Sequence, residues 1–585
     1  MSARRLALAL VAAGTGAQAQ GADRIHVNQV GYHPAAPKIA VVVDTSATRF
    51  AVVRADTRDT VLRGELSAPR AWAPAQQIVR SADFSRLTSA GRYRVVVPGI
   101  GASHTFAIDT LAYRELARAA IKAFYYQRAG TALPARYAGR WARAAGHPDT
   151  AVFVHPSAAD SLRPAGTVIR SPGGWYDAGD YGKYVVNSGI STYTLLAIAE
   201  HFPAYASRLE TNIPESGDEV PDVLDEALWN LRWMLTMQDP NDGGVYHKLT
   251  TAEFDGMEMP AADTARRWVV QKSTAATYDF AATVAAARRI LGRRAAIAAP
   301  LADSMHRAVE RAVRWASTHG SVVYDQETLN RTHAPAVRTG AYGDRYLEDE
   351  RRWSDMETFH IGILSPWMAP PSAQENASRG VPSWNSVGML AVFTYATRTR
   401  GDDDSLPRRH PPLAALADTL VARRRASPYQ TAMTAPDFVW GSNAVAANQG
   451  FVLVNAYLAT RDTAYLDAAS TTLDYLLGTN PTGYSFVTGF GSRTPMHPHH
   501  RPSEADGIAE PIPGMLVGGP NPGKQDRCAG YPSNDAPALA YVDSVCSYAS
   551  NEIAINWNAP LAYLAAALDA IRGDRARTPA RPRDD

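Results

Sequence analysis

Near Leu111 the spacing of apolar residues changes period, so the two parts of the chain cannot belong to one kind of layer. From Ile25 to Asp109 the apolar residues come in short alternating or β-branched runs, among them KIAVVVD, RFAVVRAD and GRYRVVVPG, separated by Pro, Gly and Ser. Roughly seven or eight strands are expected there, enough for a small β-sandwich. Beyond Leu111 the period is helical. Val220, Val223, Leu224, Ala227, Leu228, Leu231, Met234 and Leu235 form one stripe, opened by an acidic first turn around Asp218. Similar stripes run through TAATYDFAATVAAARRIL, LADSMHRAVERAVRWAS, NAVAANQGFVLVNAYLA, AYLDAASTTLDYLLG and NAPLAYLAAALDAI. About a dozen helices are expected, with no repeat of roughly 30–50 residues to suggest a solenoid. Long loops rich in Gly, Pro and aromatic residues separate them, which a compact domain carries when the loops have work to do. The pattern predicts a ring of paired helices with its loops gathered at one end. A chain of 585 residues accommodates one large domain, 111–573, with the sandwich of 25–109 as a smaller companion.

The chain opens MSARRLALALVAAGTGAQA, where Arg4 and Arg5 precede an apolar run and Ala17-Gln18-Ala19 closes it, the pattern of a signal peptide over 1–19. The run is too short to span a bilayer, and the expected product is secreted or periplasmic. Formal net charge is +2, with both signs scattered, so neither nucleic acid nor a membrane surface is an expected partner. Cys528 and Cys546 are the only cysteines; they can pair in an oxidising compartment, but two residues do not make a disulfide framework. The tail from 574 to 585, DRARTPARPRDD, has the composition of disorder.

Three loop clusters carry reactive side chains. SPGGWYDAGDYGKYVVNSG sets Asp177 and Asp180 three residues apart among glycines and rings. A polar turn accounts for either aspartate alone, less well for the crowding of Trp175, Tyr176, Tyr181 and Tyr184. FVTGFGSRTPMHPHHRPS brings together Arg493, His497, His499, His500 and Arg501; metal ligation, a plain surface loop and substrate contact all remain open for it. YVDSVCSYASNEIAINWNAPL puts Glu552 just ahead of the last helix, where an acidic residue in a first turn is stabilised by the helix dipole. Taken together, two sets of carboxylates, a His/Arg loop and flat faces at Trp175, Tyr246, Tyr342 and Trp440 form the inventory for hydrolysing a glycosidic bond.

Several stretches resemble glycoside hydrolase family 9, in the group of bacterial cellulases with an N-terminal immunoglobulin-like domain. IHVNQVGYHP resembles the start of that domain, and GGWYDAGDYGKY the family's Asp-Ala-Gly-Asp loop. SGDEVPDVLDEALWNLRWMLTMQDPNDGGVYHK, TGAYGD and FVWGSNAVAANQG resemble its helices and rim loops, and the loops of His499 and Glu552 fit its two signature patterns. The resemblance implies an (α/α)6 barrel after an immunoglobulin-like sandwich. It implies a general base at Asp180, with Asp177 helping to hold the water, and a general acid at Glu552. His499 and Arg501 would bind the sugar, and Asp543 and Tyr548 match as well. The implied enzyme is a monomeric endo-β-1,4-glucanase acting on cellulose or a related β-glucan, with no cofactor needed for the chemistry. Exo action on short oligosaccharides, including β-glucosides or glucosaminides, and a non-catalytic glycan binder are the alternatives. The resemblance also has gaps. Where many relatives read YYQRCG and later Cys-His for a structural zinc, this chain has Ala129 and lacks the cysteine around Ala145 to His147, so that zinc is not expected. Calcium is common in the family, with Asp344, Asp349 and Glu350 as candidate ligands.

Overall fold

The computed structural model describes residues 21–292, 295–363, 380–398 and 410–577. The expected signal peptide and the last eight residues of the chain lie outside them. The tail expectation needs one correction, because the final helix continues to Arg577 and takes in the first four residues of 574–585.

The N-terminal part is two sheets packed face to face. One orders β1 (Ile25–His26), β3 (Ile39–Val42), β7 (Gln77–Asp83) and β6 (Arg70–Trp72). The other orders β2 (Gly31–Tyr32), β10 (Phe106–Ile108), β8 (Gly91–Val97), β4 (Arg49–Arg54) and β5 (Thr60–Glu65), with β9 (Gly101–Ala102) pairing β8. Alternation buries Phe50 and Val52 from β4 with Tyr93, Val95 and Val97 from β8, in a core shared with Tyr32, Phe84 and Phe106. The remaining face does not end in water: Val41, Trp72, Ala75 and Val79 belong to the core of the helical domain.

Eleven helices of eleven residues or more follow among the described residues. These are α1 (Arg114–Tyr126), α2 (Val185–His201), α3 (Asp222–Thr236), α4 (Thr274–Leu291), α5 (Ala295–Thr318) and α6 (Glu348–Phe359). Then come α7 (Gly388–Arg398), α8 (Pro411–Ala426), α9 (Ser442–Thr460), α10 (Thr463–Leu476) and α11 (Ile555–Arg577). Packing closes a ring from α2 through α4, α6, α7, α9 and α11 back to α2. Outside it, α1 packs on α11, α3 on α2, α5 on α4, and α8 and α10 on α9. This is the (α/α)6 barrel. Helices of the ring are buried nearly all round: every residue of α2 from Val185 to Ala199 is buried, and Ser191 and Thr194 turn their hydroxyls back onto the helix, to the Asn187 carbonyl at 2.6 Å and the Ile190 carbonyl at 2.8 Å. The acidic opening of α3 begins later than its stripe suggests. Pro221 stands at the boundary, so Asp222 and Asp225 occupy the first turn, while Asp218 caps a preceding turn by accepting from Val220 N at 2.7 Å.

Sequence spacing gave no sign of a third sheet inside the helical domain. Short strands Val152–Val154 (β11), Val168–Ile169 (β12), Lys183–Tyr184 (β13), Lys248–Thr250 (β14) and Trp268–Val269 (β15) join in the order β12-β11-β15-β14-β13. Strand β13 runs straight out of the Asp177/Asp180 loop into α2, so this sheet fixes where that loop stands.

Candidate active site

The loop from Ser171 to Gly182 is held by its backbone. Asp177 N donates to the Gly182 carbonyl at 3.0 Å, closing the turn, and Ile555 N donates to the Asp177 carbonyl at 2.8 Å. Gln127 Nε2 holds the Ala178 carbonyl at 2.9 Å and Arg267 Nη1 the Tyr181 carbonyl at 2.8 Å. Gly179 is required by contact: a Cβ there would lie 2.2 Å from the His499 carbonyl oxygen. The two aspartates are thus carried on one fixed turn beside the histidine loop.

Their environments differ. Both oxygens of Asp177 accept from Asn187 Nδ2, at 2.9 and 3.0 Å, and one also accepts from the Tyr342 hydroxyl at 3.0 Å. Burial, then the charge of Asp180, pushes its carboxyl up to about 8. Asp180 accepts from Gly182 N at 3.0 Å and from the Tyr184 hydroxyl at 3.3 Å. Lys248 donates to Gln326, Thr339 and Gly340, and burial, opposed by the charge of Asp180, brings its ammonium down to about 7.

Glu552 follows the single helical turn Tyr548–Asn551 in extended conformation and precedes α11 by three residues. It is therefore not in a helix first turn, and the dipole explanation fails. It pairs in parallel with His499 across a β-bridge, and its carbonyl accepts from Gly518 N at 2.8 Å. Burial and the charges of Asp180 and Asp177 hold its carboxyl well above the usual range, opposed by Arg501 and the backbone of Gly179. His499 donates from Nδ1 to the Val545 carbonyl at 2.6 Å, which leaves Nε2 unprotonated in the neutral ring. Arg501 is buried and donates to the Gly179 carbonyl at 2.7 Å and twice to the Asp255 carbonyl, at 3.1 and 2.8 Å. Asp543 accepts from Met496 N and His497 N, and Asn551 donates to the His497 carbonyl, so both shape this loop.

Two carboxylates on a turn, a third across from them and a His/Arg loop between agree with what the sequence matches. The pattern of glycosyl hydrolase family 9 fits residues 113–565, and that of the cellulase N-terminal Ig-like domain fits residues 20–102. A xyloglucan-specific endo-β-1,4-glucanase of Bacteroides ovatus is 43% identical over 561 residues, covering 94% of each chain. The chain belongs to glycosyl hydrolase family 9. Endoglucanase D of Acetivibrio thermocellus is 32% identical, over 92% of this chain and 82% of its own. A solved Bacteroides ovatus family 9 structure superposes with a TM-score of 0.87 at 41% identity, covering 94% of this chain and 99% of that one.

Within this family 9 site the predicted aromatic faces divide. Trp440 is half exposed and lies 5.4 Å from Tyr548, whose ring meets His499 at 5.9 Å, forming one wall. Tyr342 packs edge-on between Tyr184 and Trp384 and forms another. Trp175 and Tyr246 are corrections, since both are wholly buried and have no face for a sugar. Trp175 Nε1 donates to Glu226 at 3.2 Å, and the Tyr246 hydroxyl donates to Asp239 at 3.0 Å. Sequence reasoning missed Asn187 and Trp384, and saw Tyr184 only as one of the rings crowding the loop, not as a donor to Asp180. Asn187 lay within the quoted stretch, but among the Ser and Thr residues of the same helix nothing in the sequence set it apart. His500 is buried against Gln127, and His497 is exposed.

The metal expectations can be weighed from donors. At the zinc position Ala129 is packed with Tyr176 and Tyr181, and Gly146 precedes His147, whose ring nitrogens face the Tyr176 hydroxyl and Asp263. One imidazole and no thiolate do not fit zinc. Asp344, Asp349 and Glu350 lie with Asp279 of α4 in a buried acidic group whose oxygens are largely without hydrogen-bond partners. Burial and these neighbours push Glu350 up to about 12. The donors suit calcium, but no three His, Cys, Asp or Glu side chains among the described residues are spaced to hold one ion. The Cys528–Cys546 disulfide is formed, with Cα atoms 5.6 Å apart.

Proposed function

We propose that this enzyme cleaves internal β-1,4-glucosidic bonds of a β-glucan by direct displacement with water, inverting the anomeric carbon. The observation that carries the reading is geometric: Asp177 and Asp180 ride on one fixed turn that is bonded to the strand-like stretch of Glu552 and His499, and Glu552 is buried there, so that burial and then the charges of Asp180 and Asp177 hold its carboxyl above the usual range. Glu552, with its carboxyl held above the usual range, gives its proton to the leaving oxygen. Asp180 takes the proton of the attacking water, and Asp177, fixed by Asn187 and Tyr342, orients that water. A covalent nucleophile has no use for a second aspartate on the same turn, whereas an inverting enzyme needs room for water, about 6.5–9.5 Å between carboxyl groups. His499 and Arg501 hold the sugar at the cleavage point, and Trp440 and Tyr342 supply stacking faces. Acid, base and water suffice, so no step calls for a metal or organic cofactor.

A second reading concerns the substrate. The 43% identical relative named as xyloglucan-specific favours a soluble, branched β-1,4-glucan over unbranched cellulose. Viscosity and product sizes on carboxymethyl-cellulose, xyloglucan and cello-oligosaccharides decide between endo and exo action and between backbones. A rapid fall in viscosity is expected; monomer release from one end reverses the endo assignment. Proton NMR of the first products, before mutarotation, is expected to show the α-anomer, and initial β-anomer overturns the roles of both aspartates. Export is proposed with cleavage after Ala19, read as the N-terminal mass of secreted protein.

A further inference from the structure

Tyr176 and Gly179 bracket Asp177, and each is tied to the same group of side chains outside the carboxylate pocket. The Tyr176 hydroxyl lies 2.8 Å from His147 Nδ1, and His147 Nε2 lies 2.7 Å from Asp263 Oδ2. Asp263 is hydrogen-bonded to Asp255, whose carbonyl receives two N–H groups of Arg501. Arg501 Nη1 then returns to the Gly179 carbonyl. The contacts form a closed ring that leaves the aspartate turn on one side and re-enters it on the other. The Phe254 ring lies 5.9 Å from the Arg501 guanidinium, and the Tyr181 hydroxyl donates to the Glu258 carbonyl, fastening the 254–258 stretch to the same turn. His147 holds a left-handed backbone, φ 50°, and Asp149 another at 47°, conformations that side chains bearing a Cβ keep only where their surroundings fix them.

We infer that His147, Asp263 and Asp255 are positioning residues that set Arg501 and the Asp177/Asp180 turn for the displacement. None of the three is one of the carboxylates assigned to the reaction; their contacts run to Tyr176, to one another and to Arg501. His147 links the 145–149 loop to the turn through Tyr176, and Asp263 links both to the guanidinium through Asp255. A displacement of about 1 Å at such a site costs up to about a hundredfold in rate while leaving remote sugar contacts intact. The inference rests on the roles proposed for the three carboxylates, so its test includes a reading that does not.

His147→Ala is expected to lower kcat on a soluble β-1,4-glucan about 10- to 100-fold with KM changed less than about twofold. His147→Gln, whose amide can accept from Tyr176 and donate to Asp263, is expected to recover to within about threefold of wild type. His147→Ala on an Arg501→Lys background should add little further loss, since both act through one guanidinium. Tyr176→Phe removes one hydroxyl, keeps the ring packed, and serves if His147→Ala fails to fold; a smaller loss of kcat alone is expected. Unchanged kcat in folded protein, multiplicative losses in the double variant, or loss without recovery by Gln would each overturn the clasp. Independently of activity, a crystal structure of His147→Ala should show Arg501 moved off the Gly179 carbonyl and that of His147→Gln should not. An unmoved Arg501 overturns the inference even if the carboxylate roles stand, and a moved Arg501 supports it even if they fall.

Discussion

Asp149 and Asp177 are both buried carboxylates in the same loop region, and they have been given opposite partners. Asp149 is clamped by Lys183 at 2.6 Å and Arg267 at 3.2 Å, and these cations outweigh burial and hold its carboxyl below the usual range. Asp177 receives only the neutral donors Asn187 and Tyr342, with Asp180 beside it, and is held at about 8. Burial alone therefore says little about a carboxylate's task. The fold gives Asp149 two cations and gives Asp177, which stands beside the proposed base, only neutral donors.

The largest effect expected from this contrast is on rate. Glu552 belongs to the uncompensated set, so Glu552→Gln should lower kcat on unactivated glucan by about 10²–10⁴-fold, and much less on an aryl glycoside whose leaving group needs little protonation. Rates on the two substrates give the answer; equal losses would place Glu552 with Asp149, as a structural acid. On the other side of the comparison, Asp149→Ala leaves Lys183 and Arg267 buried without their anion. It should cost about 3–5 kcal/mol of stability, read by denaturant unfolding. A loss below about 1 kcal/mol would mean the clamp is replaceable and the contrast false.

How much of this was legible in sequence follows from the range of the interactions. The change of period at Leu111 is local and periodic, so sandwich and helical ring were both readable, and the family motifs named Asp177, Asp180, Glu552, His499 and Arg501, which the fold brings close together. What pairs with what is not local. Lys183 and Asp149 are distant in sequence, and so are Trp175 and the Glu226 that accepts from it; Asp239 stands only seven residues before Tyr246, but proximity in sequence does not show that the Tyr246 hydroxyl turns inward to it. The third sheet escaped for the same reason, since its two- and three-residue strands have no alternation to detect. The sandwich, read from sequence only as a smaller companion, also meets the reactive clusters, because Gln29 reaches the histidine loop itself. Its Oε1 accepts from Ser492 N and Arg493 N, both at 2.9 Å, and its Nε2 donates to the Gly483 carbonyl at 2.8 Å. Like Asn187, it is a neutral anchor near the site. Gln29→Ala should cost about 2 kcal/mol through two unsatisfied N–H groups and should lower kcat with it. Full activity at a reduced melting temperature would restrict the sandwich to stability.

The smallest expected effect discriminates most finely, because it concerns the sign of a pH dependence. An aspartate with an ordinary value of 3.8 when unfolded and about 8 when folded binds its proton more tightly in the native state. Its contribution to stability is therefore whole below about pH 4 and is lost as pH rises through about 8, the reverse of a clamped carboxylate such as Asp149. Asn at 177 does not titrate and retains one oxygen for Tyr342 or Asn187. Asp177→Asn should match wild type in stability near pH 4 and exceed it by about 1–2 kcal/mol at pH 8, with activity severely reduced. Melting temperatures of both proteins across that interval are the measurement. A difference that stays flat from pH 4 to 8 would show that Asp177 is ionised in the folded protein, and that its two neutral donors compensate its charge as well as two cations do for Asp149.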